Sequence, residues 1–394
     1  VVSAVLLYAG ATLALVLAWI NGANNAGNVI GAAVGARSIS AKRALQLAFL
    51  FEIAGATLLG HYVSATITRG IINPAELSRE ELLAGVLVIA ASTTLWMFIA
   101  TYLRVPLSVT QATIGSVVGF GLVVLGFHKL NWSVLASILF SWPLTLLLAI
   151  FLSIVLYRLY TTALSRAREA KRLLVLSSAL LYVCAVAVLL VIVSSVGDIL
   201  ATLASLLAPI PATVLYAVVL EKRVPGSLHE ARYAVNRHLL LVSTSLAALS
   251  HGAHDVGASA GLLQLVVSEV GVGGALDART SRLVLFVSGL VMALGMLRWG
   301  YRVLGTLAER ITPLTPEAGF AAQLSTALTM LLVTRMGLPS STTLAITGAI
   351  IGVGLARGRG YVNTKTVIRV FAMWVVGFPA TLLLSMAMSA LVPR

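Results

Sequence analysis

Long apolar runs separated by short polar stretches occupy nearly the whole chain. They fall at residues 1–36, 41–67, 82–103, 106–127, 131–162, 173–196, 198–220, 238–268, 281–304, 316–336, 339–356 and 366–393. Each is close to or longer than the ~20 residues a helix needs to cross the hydrocarbon of a bilayer. The connections leave no stretch long enough for an extramembrane domain. The pattern therefore predicts an all-α integral membrane protein of about twelve transmembrane segments. Composition agrees: only 10% of the 394 residues are charged and 59% are hydrophobic, against ~25% charged in soluble domains. A water-soluble enzyme is excluded.

Charge sets the expected orientation. The formal net charge is +14, but the bases lie singly between apolar runs, with no basic stripe for nucleic acid. In a membrane protein such an excess marks cytoplasmic loops. The most basic connections are 163–172, with Arg166, Arg168, Lys171 and Arg172, and 221–237, with Lys222, Arg223, Arg232 and Arg237. The connection between them holds Asp198 and no base. Counting crossings outward from these loops puts Arg37 to Arg43, Arg104, Arg302 to Arg310 and Arg357 to Lys365 inside. Glu76, Glu80, Glu81, Glu269 and Asp277 fall outside, and both termini come out extracellular in a plasma membrane. Val1 to Ile20 lacks a basic n-region and a cleavage site, so it reads as mature protein. Cys184, alone in an apolar run, reads as a small packed hydrophobe.

An internal repeat runs through the chain. Asn21-Gly22-Ala23-Asn24-Asn25 matches His251-Gly252-Ala253-His254-Asp255, and Pro106-Leu107-Ser108-Val109-Thr110 matches Pro339-Ser340-Ser341-Thr342-Thr343. Arg104 and Arg335, Gly115 and Gly348, Gly119 and Gly352, Gly121 and Gly354, and Trp142 and Trp374 keep nearly the same offset. With the predicted orientation, the first copy starts outside and the second inside. The chain divides into a first inverted repeat at 1–162, basic loops and two connecting helices at 163–237, and a second inverted repeat at 238–394. Many secondary transporters use this arrangement.

The repeated motifs carry the polar chemistry. Gly, Asn, His and Asp at membrane depth predict a helix broken at the midplane in each copy, freeing carbonyls for a cation and N–H groups for an anion, so that each repeat holds broken or re-entrant half-helices. Pro106 and Pro339 are expected at the first position of a half-helix. The hydroxyls of Ser108, Thr110, Ser341, Thr342 and Thr343 follow. A helix N-terminus with hydroxyl donors suits an oxyanion. Of thirteen acidic residues, only Glu52 and Asp255 lie deep inside apolar runs, Asp198 and Glu317 standing at the starts of theirs. Asp255 is the candidate cation ligand or proton carrier, Glu52 a structural or coupling group, and His251 and His254 are proton-sensitive or backbone-bonding candidates. The glycines at 115, 119, 121, 348, 352 and 354 read as helix packing rather than a nucleotide fingerprint. Trp142-Pro143, Trp374 and Pro379 read as kink and packing features, and Arg104 and Arg335 as interface anchors.

These residues resemble the inorganic phosphate transporter (PiT) family, the sodium- or proton-coupled phosphate carriers whose relatives include sulfate permeases. Its Gly-Ala-Asn-Asp-Val-Ala-Asn motif is similar to Gly22 to Asn28 and Gly252 to Ala258, and its Pro-Val-Ser-Thr-Thr-His motif to Pro106 to Gln111 and Pro339 to Leu344. Phe51-Glu52 with Gly55, Trp299 to Val303, Gly319 to Ala322 and Gly352 to Ala356 add to the likeness. The resemblance implies twelve spans, an inverted duplication, a central anion site made by both copies, adjacent cation sites and a homodimer. Carried onto this chain, the substrate-binding candidates are Asn24, Asn25, Ser108, Val109, Thr110, Gln111, His254, Asp255, Ser341, Thr342 and Thr343. The cation-binding or coupling candidates are Asn21, Asn25, Asn28, His251 and Asp255, with Na+ expected near Asn25 and Asp255.

The chain departs from the family at Asn25, where Asp is expected, at His254 and Ala258, where Asn is expected, and at Gln111 and Leu344, where His is expected. One site carboxylate is gone. That implies fewer coupled sodium ions, or a proton carried by Asp255 or a neighbouring His. Phosphate is the first expected substrate and sulfate the second. No cofactor or enzymatic activity is expected. An anion channel would want a continuous polar pore, and a membrane enzyme acting on phospholipid or polyprenyl phosphate would want a metal-binding carboxylate cluster; neither fits the pattern as well as an ion-coupled symporter.

Overall fold

The computed structural model describes residues 2–36, 39–102, 107–164, 166–193, 198–223, 227–270, 276–302, 312 and 314–392. Among them the regular structure is helical, without strands. The α-helices are α1 (Val2–Gly35), α2 (Ala41–Leu59), α3 (His61–Arg69), α4 (Arg79–Tyr102), α5 (Val109–Val124), α6 (Trp132–Ala163), α7 (Ala170–Val193), α8 (Ile199–Leu207), α9 (Pro209–Arg223), α10 (Leu228–Val270), α11 (Ala278–Trp299), α12 (Pro316–Arg335), α13 (Thr342–Arg357) and α14 (Thr364–Ser389). Among the described residues seven spans are long and apolar enough to cross a membrane, and eight if α2 and α3, bent by 58°, are one span. The chain is a multi-pass membrane protein. The expected twelve crossings exceed what length and composition alone show: α5 and α13 have only 16 residues each, and α10 and α12 are not among the apolar spans.

Burial runs opposite to that of a soluble protein. Leu147 and Phe151 of α6, Leu215 of α9 and Leu383 of α14 are exposed, whereas Asn21, Glu52, Ser92, Thr145, His251 and Gln323 are buried. Large apolar side chains face outward, where lipid is their solvent, and the polar ones converge inside, where they satisfy one another.

Packing is matched between the two halves. Helix α1 packs on α11 and α4, while α10 packs on α2 and α12; α5 packs on α14, and α6 on α13. Glycines make these approaches possible. A Cβ at Gly22 would lie 1.8 Å from the Met292 carbonyl oxygen, and one at Gly252 would lie 2.0 Å from that of Glu52. Likewise Gly119 meets the Leu382 carbonyl of α14, and Gly352 the Ile150 carbonyl of α6. The packing role expected of Gly119 and Gly352 is what the structure places there, and Gly22 and Gly252, expected at helix breaks, pack in the same way. Pro143 and Pro379 lie within α6 and α14, which run through them. Cys184 is buried, as expected.

The predicted breaks are not where the sequence put them. Helix α1 runs unbroken through Asn21 to Asn28, and α10 through His251 to Asp255. Their polar side chains bond along the helix instead of opening it: the Asn25 amide donates to Asn21 Oδ1 at 2.7 Å, the Asn28 amide donates to Asn25 Oδ1 at 2.6 Å, and His251 lies 3.1 Å from Asp255 four residues on. The glycines there serve packing, so nothing forces the backbone apart. The breaks fall in two helical hairpins, α4–α5 and α12–α13, whose turns are buried at Leu107–Ser108 and Ser340–Ser341. Nor is proline the first helical residue. Ser341 caps α13, with Pro339 two residues before it, and Ser108 caps α5; Pro106 lies outside the described residues.

Candidate functional site

The two hairpin turns meet the polar segments of α1 and α10 in the interior. At each turn a serine side chain accepts from the backbone N–H three residues on: Ser108 from Gln111 and Ser341 from Leu344, both at 3.2 Å. This caps one orphan donor at each N-terminus and leaves the first two N–H groups, of Val109 and Thr110 and of Thr342 and Thr343, without a helical partner. The Thr343 hydroxyl lies 3.4 Å from the Leu107 carbonyl, so the turns touch.

Helix α1 supplies amides. The Asn21 amide donates to the Asp255 carbonyl at 3.0 Å, and the Asn28 amide to the Thr343 hydroxyl at 3.0 Å. The Asn24 amide reaches the Thr101 hydroxyl at 2.8 Å, and its carbonyl oxygen is buried without a partner among the described residues. Helix α10 supplies charge. Asp255 accepts from the Thr342 hydroxyl at 2.5 Å and lies 3.5 Å from the Asn25 amide. His251 sits between two carboxylates, 2.6 Å from Glu52 and 3.1 Å from Asp255. His254 turns the other way: Nδ1 meets the Thr334 hydroxyl at 2.8 Å, and Nε2 accepts from the Ser340 N–H at 3.0 Å. It pins the α12–α13 turn.

The structure thus brings together Asn21, Asn24, Asn25, Asn28, Ser108, Asp255, Ser341, Thr342 and Thr343, with Glu52 joined through His251 and with His254 behind the turn. Val109, Thr110 and Gln111 form the buried first turn of α5 beside this cluster. Arg335 points elsewhere, stacking over the Tyr62 ring at 4.8 Å, and Arg104 lies outside the described residues. The sequence reading missed Thr101, Met292, Thr334 and Ser340. Met292 carried a usable signal: Gly22 and Gly295 line the α1–α11 contact as Gly252 and Gly55 line α10–α2, a register that makes Met292 the counterpart of Glu52 in the other half. Accordingly Asn21 meets Met292 Sδ at 3.4 Å where His251 meets Glu52. One half of the site is ionisable and the other neutral.

Chemically, the centre offers paired backbone N–H groups and hydroxyls for an anion, and carboxylate, amide and hydroxyl oxygens for a cation. A multi-pass helical membrane protein with such an enclosed polar centre is the class that fold and site define. The chain belongs to the phosphate transporter family, whose pattern matches residues 21–385. It is similar to a Pyrococcus abyssi protein that carries a provisional phosphate permease name, 33% identical over 95% of this chain and 94% of that one. It is also 28% identical to the inorganic phosphate transporter 2-1, chloroplastic, of Arabidopsis thaliana, over 95% of this chain and 70% of that one. A solved structure described as the sodium-dependent phosphate transporter matches 98% of each chain with a TM-score of 0.89 and 27% identity.

Proposed function

We propose that the chain is an ion-coupled secondary transporter that imports inorganic phosphate by alternating access to the buried centre. The observation that carries this reading is the meeting of two capped helix N-termini, at Ser108 and Ser341, beside Asp255. Phosphate oxygens would take the N–H groups of Val109, Thr110, Thr342 and Thr343 and neighbouring hydroxyls. No Lys or Arg is needed, because neutral donors release a doubly charged anion more readily than a buried guanidinium does. Family membership and the sodium-dependent neighbour support phosphate as substrate and Na+ as co-substrate.

The cation would lie between Asn21, Asn25, Asn28 and Asp255, whose side-chain oxygens suit a hard ion. The proton is the second reading for coupling, and the continuous Glu52–His251–Asp255 contact favours it. In this reading residues 1–162 and 238–394 are inverted repeats in a twelve-segment topology with extracellular termini, and the matched packing of α1 with α11 and α10 with α2 supports the repeat. A homodimer in the plasma membrane completes the proposal.

Uptake of labelled phosphate into proteoliposomes tests it. Accumulation is expected with an imposed Na+ gradient, or with a proton gradient under the second reading, and competition by excess sulfate tells whether the sulfate branch is the better assignment. Equal uptake with no gradient would refute coupled transport.

A further inference from the structure

Helix α3 presents three faces to three different surroundings. Val63 and Ile67 are buried, and Val63 packs on α10 at Gly257. Thr66 donates its hydroxyl to the Gly337 carbonyl at 2.6 Å, and Tyr62 carries the Arg335 guanidinium, so this face covers the α12–α13 turn. His61, Ser64, Thr68 and Arg69, spaced to share a third face, line a cavity of about 330 Å³ whose far wall includes Gln264 of α10 and Ser281 of α11.

Three observations mark this cavity as more than a gap. First, it lies at the end of the bundle that the charge asymmetry puts outside, where basic side chains are disfavoured. At that end Arg79 is paired with Glu269 and Lys129 with Glu76, whereas Arg69 has no acidic partner among the described residues. Second, the residues lining the cavity include the basic Arg69 and His61 and, among the described residues, no acidic one. Third, its walls hold complementary hydrogen-bonding groups. The Gln264 amide donates to Ser281 Oγ at 3.0 Å, which leaves the Ser281 hydroxyl proton and a second amide N–H to donate. Ser64 and Thr68 donate to helix carbonyls and keep lone pairs to accept.

Guanidinium, amide and hydroxyl donors beside hydroxyl acceptors match a partly protonated oxyanion, which both accepts and donates. We infer that the cavity between α3, α10 and α11 is a second, peripheral oxyanion site, which holds hydrogenphosphate on the outer side of α3 before it reaches the centre. This rests on the phosphate reading of the central site. Because α3 separates the cavity from the α12–α13 turn, an anion bound here sits against the wall that covers the central site.

The test is binding of radiolabelled inorganic phosphate to the purified full chain in nanodiscs, comparing the unaltered protein with Arg69→Gln and Asp255→Asn, alongside uptake kinetics. The inference expects Arg69→Gln to lose one class of bound phosphate that Asp255→Asn retains. It also expects Arg69→Gln to raise the apparent KM for uptake ~5-fold at low ionic strength while Vmax holds, with the difference fading as choline chloride is added at constant Na+. Unchanged binding and KM in Arg69→Gln would overturn the peripheral site and leave the central one standing. Loss of all phosphate binding in Arg69→Gln with none lost in Asp255→Asn would instead refute the central reading. If the Arg69-dependent class vanishes whenever anionic lipid replaces phosphatidylcholine, the site takes lipid headgroups and the free-phosphate inference fails.

Discussion

Asp255 and Glu52 are chemically alike and differ in what surrounds them. Asp255 faces the hairpin turn, where it accepts from Thr342 and lies beside the Asn25 amide. Glu52 is fully buried, and His251 holds one of its oxygens while the other has no partner among the described residues. Asp255→Asn keeps the shape but removes a charge-assisted contact, worth ~1.5–3 kcal/mol. Gradient-driven phosphate uptake should fall by ~10–100-fold at equal folded protein, and undiminished uptake would remove Asp255 from coupling. Glu52→Ala instead leaves His251 without its closest partner. Breaking a buried pair from one side costs ~3–5 kcal/mol, so a large drop in thermal unfolding temperature in detergent is expected. The motif residues were legible because polar side chains in an apolar run announce themselves. Their pairing was not: Glu52 and His251 are separated by 199 positions, and the bond between them exists only because α2 packs on α10.

At the scale of elements, glycine spacing and serine caps decide where helices touch and where they stop. Gly252→Ala would drive a methyl into the Glu52 carbonyl, backbone against backbone, and should lower stability by ~1–3 kcal/mol or more; Gly360→Ala, with open space around it, is the neutral control. Unfolding temperature of the two purified variants separates the cases. Ser108→Ala and Ser341→Ala each remove an N-cap, at ~1 kcal/mol, and should weaken phosphate binding by a similar factor in a titration. If both bind as tightly as the parent, the capped turns are not the anion site. The hairpins were partly legible, since Pro followed by Ser and Thr marks a helix start. The continuity of α1 and α10 was not. A run of Asn, Gly and His lowers helix propensity, but it breaks a helix only when its side chains lack partners. Here amide-to-amide bonds along α1 and the His251–Asp255 contact along α10 supply them.

For the whole molecule, the testable quantity is sidedness. In a Cys184→Ala background, which removes the lone native thiol, Asp277→Cys should react with an impermeant maleimide on intact cells, and Arg168→Cys only after permeabilisation. The reverse pattern would invert the proposed orientation, and with it the outer position of the α3 cavity. Hydropathy alone determined that this is a multi-pass helical membrane protein, because ~20 apolar residues have no other stable home than a bilayer. Repeated motifs alone singled out most of the polar residues that the structure brings together around Asp255. Tertiary packing decided the rest: that α1 and α10 run unbroken through their polar motifs, and that one half of the centre is ionisable while the other is neutral. Those outcomes depend on side chains hundreds of positions apart meeting across glycine-lined contacts, and a linear pattern records the spacing of such groups but not their partners.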